Sequence, residues 1–310
     1  FRACAHDIYL NRCNSDISRL TVKKGRRPLT LVYGTASIRS IRIQESQSYG
    51  IYAVAMDRVS LTGSQFGKTP SWAAYLHGRS LTVSGCQFDQ SKNGLLVRGV
   101  KLKSEAFLSR LTFKKCNQGL YCQTASLKPV RDNAIVTSGC NFGVVLDRCR
   151  STLKGGKFRN DTRPLSIYGG QASLGRIDVT NAKSYGVYTA NMEQLDLTVS
   201  RFNQAGSWAV HAHGRKMSIS DSTFNRTKYG LYVRELSKNA APVFRNMTFN
   251  GCTYGLRCDS SAVRIGKSDR LTFSDCVYAV TLIGCRSTLR GMDVSGAQRP
   301  ISLHRGTASV

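Results

Sequence analysis

The chain repeats itself at a step of 136 residues with no insertion, and a fold that tolerates this must be built by stacking identical modules. Gly34-Thr35-Ala36-Ser37 returns as Gly170-Gln171-Ala172-Ser173 and as Gly306-Thr307-Ala308-Ser309. The same step carries Ser48-Tyr49-Gly50 to Ser184-Tyr185-Gly186, His77-Gly78-Arg79 to His213-Gly214-Arg215, and Arg27-Pro28 to Arg163-Pro164 and Arg299-Pro300. Roughly three in ten aligned positions are identical, and the register never slips.

A shorter period runs inside each unit. A small residue followed by an apolar-x-apolar triplet falls at Gly50, Ala73, Gly94, Gly119, Gly143 and Pro164, then at Gly186, Ala209, Gly230, Gly255, Ala279 and Pro300. The spacings are 23, 21, 25, 24, 21 and 22 before the series repeats, so six coils make one unit and about 13 coils make the chain. The triplets alternate with the period of strands, as in Ile51-Tyr52-Ala53 and Leu231-Tyr232-Val233. Further strands such as Leu81-Thr82-Val83 and Met217-Ser218-Ile219 precede them, separated by short Gly, Ser, Asn and Asp clusters that read as turns. No segment sustains a helical period. The expected fold is all-β: a single-stranded parallel β-helix whose coils stack about 4.8 Å apart. Residues 1–310 are expected to form one continuous solenoid, with sequence repeats at 1–136, 137–272 and a partial 273–310. Gly119 and Gly255 are expected where backbone passes closely by backbone.

Phrases such as Leu81-Thr82-Val83-Ser84-Gly85-Cys86-Gln87-Phe88 followed by Asn93-Gly94-Leu95 resemble the β-helix repeat of the pectate-lyase-like superfamily. That resemblance implies a right-handed, three-sheet helix. It does not by itself imply a chemistry, because the superfamily holds lyases, hydrolases, epimerases, tailspikes and surface adhesins. Its enzymes place clustered carboxylates on neighbouring coils, flanking the scissile bond or holding calcium. Here Asp57 and Glu193 are the only acids matched between units, and each stands alone in its coil. His77-Gly78-Arg79 and its copy resemble a His-Gly motif of pectin hydrolases, without the Asp-Asp motif that accompanies it. Catalytic residues, a metal site and a cofactor are therefore not assigned.

The charge points to a partner class. Lys and Arg number 45 against 18 Asp and Glu, a net of +27, spread along the chain without a basic run. Such a surface attracts polyanions or keeps a long, edge-rich protein soluble. Counting from each small residue, position +4 stacks His77, Arg98, Gln123 and Asp147 in one unit and His213, Arg234 and Asp259 in the next. Position +2, expected to face outward, carries Tyr52, Tyr75, Leu96 and Tyr121, then Tyr188, His211 and Tyr232. Position −1 carries Tyr49, Trp72 and Phe142, then Tyr185, Trp208, Tyr229, Tyr254 and Tyr278, and the pattern leaves open which way it faces. Outward tyrosines flanked by Arg79, Arg98, Arg215 and Arg234 would suit flat sugar rings or a neighbouring rod; tyrosine also simply favours half-buried strand surface. Candidate binding residues are Tyr52, Tyr75, Tyr121, Tyr188, Tyr232, His77, Arg98, His213 and Arg234.

The cysteines follow the repeat as well. Cys4, Cys140 and Cys276 share one phase, Cys13, Cys149 and Cys285 another, Cys116 matches Cys252, Cys122 matches Cys258, and Cys86 is replaced by Ser222. Cys122 and Cys258 are read as small core residues. Cys116 with Cys140, and Cys252 with Cys276, stack on adjacent coils at a spacing near the upper limit for a disulfide, so a reduced ladder and two bridges both remain open.

Together these features lead to the expectation of a structural or adhesive segment of a large extracellular repeat protein or filament. It would be secreted or held at a cell surface, and would contact copies of the same repeat array or acidic polysaccharide. The alternative is a polysaccharide lyase or hydrolase, or a tailspike-like receptor-binding rod. Nucleic acid ranks behind both, because no recognition motif accompanies the charge. No run of 18 apolar residues is present to span a membrane. The first ten residues lack a basic-then-apolar pattern, so any targeting signal is expected outside this stretch. The out-of-phase ends, two units plus 38 residues, lead to the expectation that the array continues.

Overall fold

A computed structural model describes residues 8–99, 104–128, 134–234, 242–259 and 262–309. They form strands and turns without helix, wound as a parallel β-solenoid of about 13 turns. The chain divides into two compact units, residues 1–157 and 158–310.

One coil of the first unit explains the rest. Strand Ile51–Thr62 bends at Ala55, whose φ is +56°, so residues 51–54 lie on a first face and 58–62 on a second. Gly63, at φ +57°, turns the chain into the short strand Gln65–Gly67 on a third face. Lys68, at φ +52°, returns it to Trp72–Ser84, the start of the next coil. Every pairing is parallel and one coil apart: Ile51 opposes Ala74, Val59 opposes Leu81, and Phe66 opposes Phe88. In the second unit the same path runs through Trp208–Ser220, Thr223–Asn225 and Tyr229–Arg234. The third-face strands are often only three residues long, too short to announce themselves by alternation.

Left-handed backbone marks the corners, and glycine is mostly not what permits it. Among the described residues, 25 non-glycine positions have φ between +44° and +62°. Such a conformation ordinarily costs an L-residue on the order of 1 kcal/mol. Stacking offsets that cost, because corner N–H groups donate to the neighbouring coil. Ser40 N reaches Thr62 O at 3.0 Å, Lys68 N reaches Asp89 O at 3.1 Å, and Val199 N reaches Ser220 O at 3.1 Å. The sequence signal for these turns is weak for that reason: a corner is specified by its neighbours above and below.

The residue after a corner points inward and is often small. Ser46, Thr69, Ser91, Cys116 and Cys140 follow Glu45, Lys68, Gln90, Lys115 and Gly139, and all five are buried. Cys86 follows Gly85, Cys149 follows Arg148, and Cys252, Cys276 and Cys285 follow Gly251, Asp275 and Gly284. All the cysteine phases of the sequence except that of Cys122 and Cys258, which lie within strands, are thus corner phases. All ten described cysteines carry free thiols, and Cys4 lies outside the described residues.

The core is apolar and layered. On the third face Phe66, Phe88 and Phe113 stack at 5.0 and 4.9 Å with nearly parallel rings. Phe202, Phe224, Phe249 and Phe273 continue the pattern in the second unit at 5.2, 4.6 and 4.8 Å. These phenylalanines leave no room opposite the coil-opening glycines. A Cβ on Gly119 would lie 2.4 Å from Gly143 O and 3.1 Å from the Phe113 ring; on Gly255 it would lie 2.6 Å from Ala279 O and 2.7 Å from the Phe273 ring.

Candidate binding face

On the first face, residues +1 and +3 of each triplet point inward, as the fully buried Ile51 and Ala53 do, and +2 takes the other side of the strand. The rings there are half-buried, whereas Thr30, Leu96, Val145, Ser166 and Thr281 at the same position are covered. Registration builds the outward column Thr30, Tyr52, Tyr75, Leu96, Tyr121, Val145 in the first unit. In the second unit it builds Ser166, Tyr188, His211, Tyr232, Arg257, Thr281. Position −1, which the sequence left open, faces outward beside this column, since its rings pack against those at +2. Tyr49 lies 5.1 Å from Tyr52, Tyr185 5.3 Å from Tyr188, and Trp208 4.8 Å from Tyr232.

In the second unit these rings form one strip. Contacts pass from Tyr168 to Tyr188 (6.0 Å), His211 (5.0 Å), Tyr232 (4.9 Å) and Trp208 (4.8 Å), then to Tyr229 (4.3 Å), Tyr254 (5.2 Å) and Tyr278 (4.5 Å). Cations lie over it. Arg163 stands 5.9 Å from the Tyr185 ring, Lys228 5.4 Å from Tyr229, Arg257 5.4 Å from Tyr232 and Arg299 5.2 Å from Tyr278. In the first unit the rings form a Tyr49, Tyr52, Tyr75 cluster and a Trp72–Tyr121 pair at 6.2 Å. Trp72 and Tyr121 come from the coils on either side of Leu96, which is only 8% exposed although it occupies the outward column.

One carboxylate in each unit braces a ring of this face. Asp259 accepts from the Tyr232 hydroxyl at 2.8 Å and from both Arg257 Nε and an Arg257 terminal nitrogen at 3.1 Å. Asp147 accepts from Tyr121 at 3.0 Å and from Gln123 at 3.0 Å. Burial first, then the bond to the carboxylate, pushes both phenols up to about 12. Arg257 takes the place of a ring in the outward column, and its only signal in the sequence is its register behind Tyr232. Thr30 in the first unit's column and Ser166, His211 and Thr281 in the second's carry a buried oxygen or nitrogen without a hydrogen-bond partner, as do Ser151 and Ser287 elsewhere.

The +4 residues stack as the sequence suggested. His77, Arg98, Gln123 and Asp147 are registered neighbours, as are His213, Arg234 and Asp259. Burial, then the nearby Arg98 charge, lowers His77; burial is also the main cause lowering His211, so neither adds charge at neutral pH. His213 sits at the corner, its backbone N donating to Thr189 Oγ1 at 3.0 Å, beside an open cleft of about 380 Å³ that also touches Glu193 and Arg215. The matching acid Asp57 pairs with Arg79 at 3.7 Å in the first unit. Among the described residues no three His, Cys, Asp or Glu side chains gather as metal ligands, and no helix is long and apolar enough to cross a membrane.

No protein-family profile, curated protein or solved structure matches the chain.

Proposed function

We propose that the chain is an adhesive structural segment, a right-handed β-helix of the pectate-lyase-like kind used as scaffold, whose first face binds acidic polysaccharide. The observation that carries this reading is the unbroken aromatic strip from Tyr168 to Tyr278 with Arg and Lys standing over it. Flat rings offer stacking area to the apolar faces of sugars, and the cations answer carboxylates or sulfates. A net charge of +27 adds long-range attraction for a polyanion. Repetition of the module supports the adhesive role, since weak contacts on successive coils add by multivalency. A secreted or surface location, membership of a larger repeat array and lateral contact with copies of that array belong to the same reading.

Retention on immobilised alginate and heparin tests it. Binding should be firm at low salt and fall steeply as salt screens it, and replacing Trp208 and Tyr229 by Ala should weaken it. Release of unsaturated or reducing ends from alginate, pectin or hyaluronan would overturn the non-enzymatic reading. Salt-insensitive or absent retention would overturn the polyanion.

A further inference from the structure

Two kinds of cysteine pair lie in the core: in-register pairs, in which Cys116 shares a hydrogen bond with Cys140 and Cys252 with Cys276, and diagonal pairs such as Cys122 with Cys149. Cys116 and Cys140 are rungs of a ladder, each donating to carbonyls: Cys116 to Lys114 O at 3.4 Å, Cys140 to Phe113 O at 3.7 Å. Cys149 behaves differently. The registered neighbour of Cys122 is Leu146, so Cys149, three residues further along, approaches Cys122 diagonally from the corner at Arg148. Its sulfur lies 3.3 Å from Cys122 Sγ and 3.3 Å from Cys122 O. This approach is not tied to the coil repeat of about 4.8 Å, which holds in-register side chains beyond comfortable disulfide geometry. In the second unit Cys285, after the corner at Gly284, makes the same contact with the backbone, donating to Cys258 O at 3.1 Å. Both members are retained in both copies, although about seven in ten aligned positions differ.

We propose that Cys122–Cys149 and Cys258–Cys285 are oxidisable dithiols that close into disulfides, each stapling one coil to the next. Peroxide is a sufficient oxidant. The Cys149 sulfur attacks one peroxide oxygen, the O–O bond breaks, and a sulfenic acid and water form. The Cys122 sulfur then attacks the Cys149 sulfur; the S–O bond breaks and hydroxide leaves with the Cys122 proton as a second water. Two thiols and one peroxide thus become one disulfide and two waters. The hydrogen bond shared by the two sulfurs lowers the Cys149 thiol and raises that of Cys122, which makes Cys149 the sulfur that reacts first.

The test is a peptide map of the native, unmutated chain after peroxide, with free thiols alkylated before digestion by trypsin. The expected products join residues 258–264 to 271–286 through Cys285, and the dipeptide 149–150 to 116–131 through Cys122, each lighter by two hydrogens and separated by dithiothreitol. Oxidation should raise the unfolding midpoint by about 5 °C, reversibly. The Cys285→Ala variant should lose the first linked product and keep the second. Peptide 246–257 joined to 271–286, which would report Cys252–Cys276, overturns the proposal, as do free thiols throughout or an unchanged midpoint in the linked protein.

Discussion

The first faces of the two units differ far more than their cores do. In both, a glycine opens a coil against the carbonyl of the next, and phenylalanines stack behind it. On the outward columns, however, Asn93, Leu96 and Gln118 of the first unit stand where the second has Tyr229, Tyr232 and Tyr254. These replacements, with Val32 giving way to Tyr168, accompany the change from two separated ring clusters to one strip. The lesson is that coil geometry holds the inward positions to a narrow choice, while the outward ones are free to be tuned for a surface role. Retaining and extending an aromatic row there, at positions where packing makes no demand for it, is what raises this face above ordinary strand surface.

The largest effects should be those the units share. Gly119→Val and Gly255→Val should each cost about 3 kcal/mol or more, because both place a branched side chain against a carbonyl and a ring. Urea unfolding measures this, and a harmless change in either unit would break the claim of a common core.

Next comes the difference itself. Trp208→Ala should weaken alginate binding about tenfold, equivalent to ~1.4 kcal/mol, whereas Trp72→Ala should change it by less than about threefold, as expected of one ring in a short cluster. Asn93→Tyr combined with Leu96→Tyr should bring the first unit toward the second. Equal losses for the two Trp variants would show that continuity of the strip is irrelevant.

A smaller effect separates the braced phenols from the rest. Tyr121 and Tyr232, held at about 12, should ionise late in an alkaline absorbance titration. Folding raises these values above the usual 10, so the unfolded chain loses its protons first; stability should fall as pH rises from about 10 to about 12. Tyr232→Phe should remove one late-titrating phenol and leave Tyr121 in place. Early ionisation of both would mean that Asp147 and Asp259 do not brace them.

The smallest effect expected is at the matched acids. Asp57 is exposed and 3.7 Å from an exposed Arg79, so Asp57→Asn should shift stability by less than about 0.5 kcal/mol. A large loss would give this corner a role the geometry does not.

The 136-residue step, the coil spacings and the period-2 triplets are local and repeated, so stacking, strand type and the buried +1 and +3 residues such as Ile51 and Ala53 could be read from the chain alone. Register followed from them, including the His77, Arg98, Gln123, Asp147 column. What the tertiary structure decided are matters of three-dimensional neighbourhood. Corners at Ser40, Lys68 and Val199 are left-handed because the adjacent coil supplies the hydrogen bond, a partner 21 or 22 residues away that no local propensity records. The outward direction of Tyr185 and Trp208 depends on rings from other coils. So does the meeting of Cys149 with Cys122: each recurs at the 136-residue step, but a diagonal approach across a corner does not show in the coil spacing.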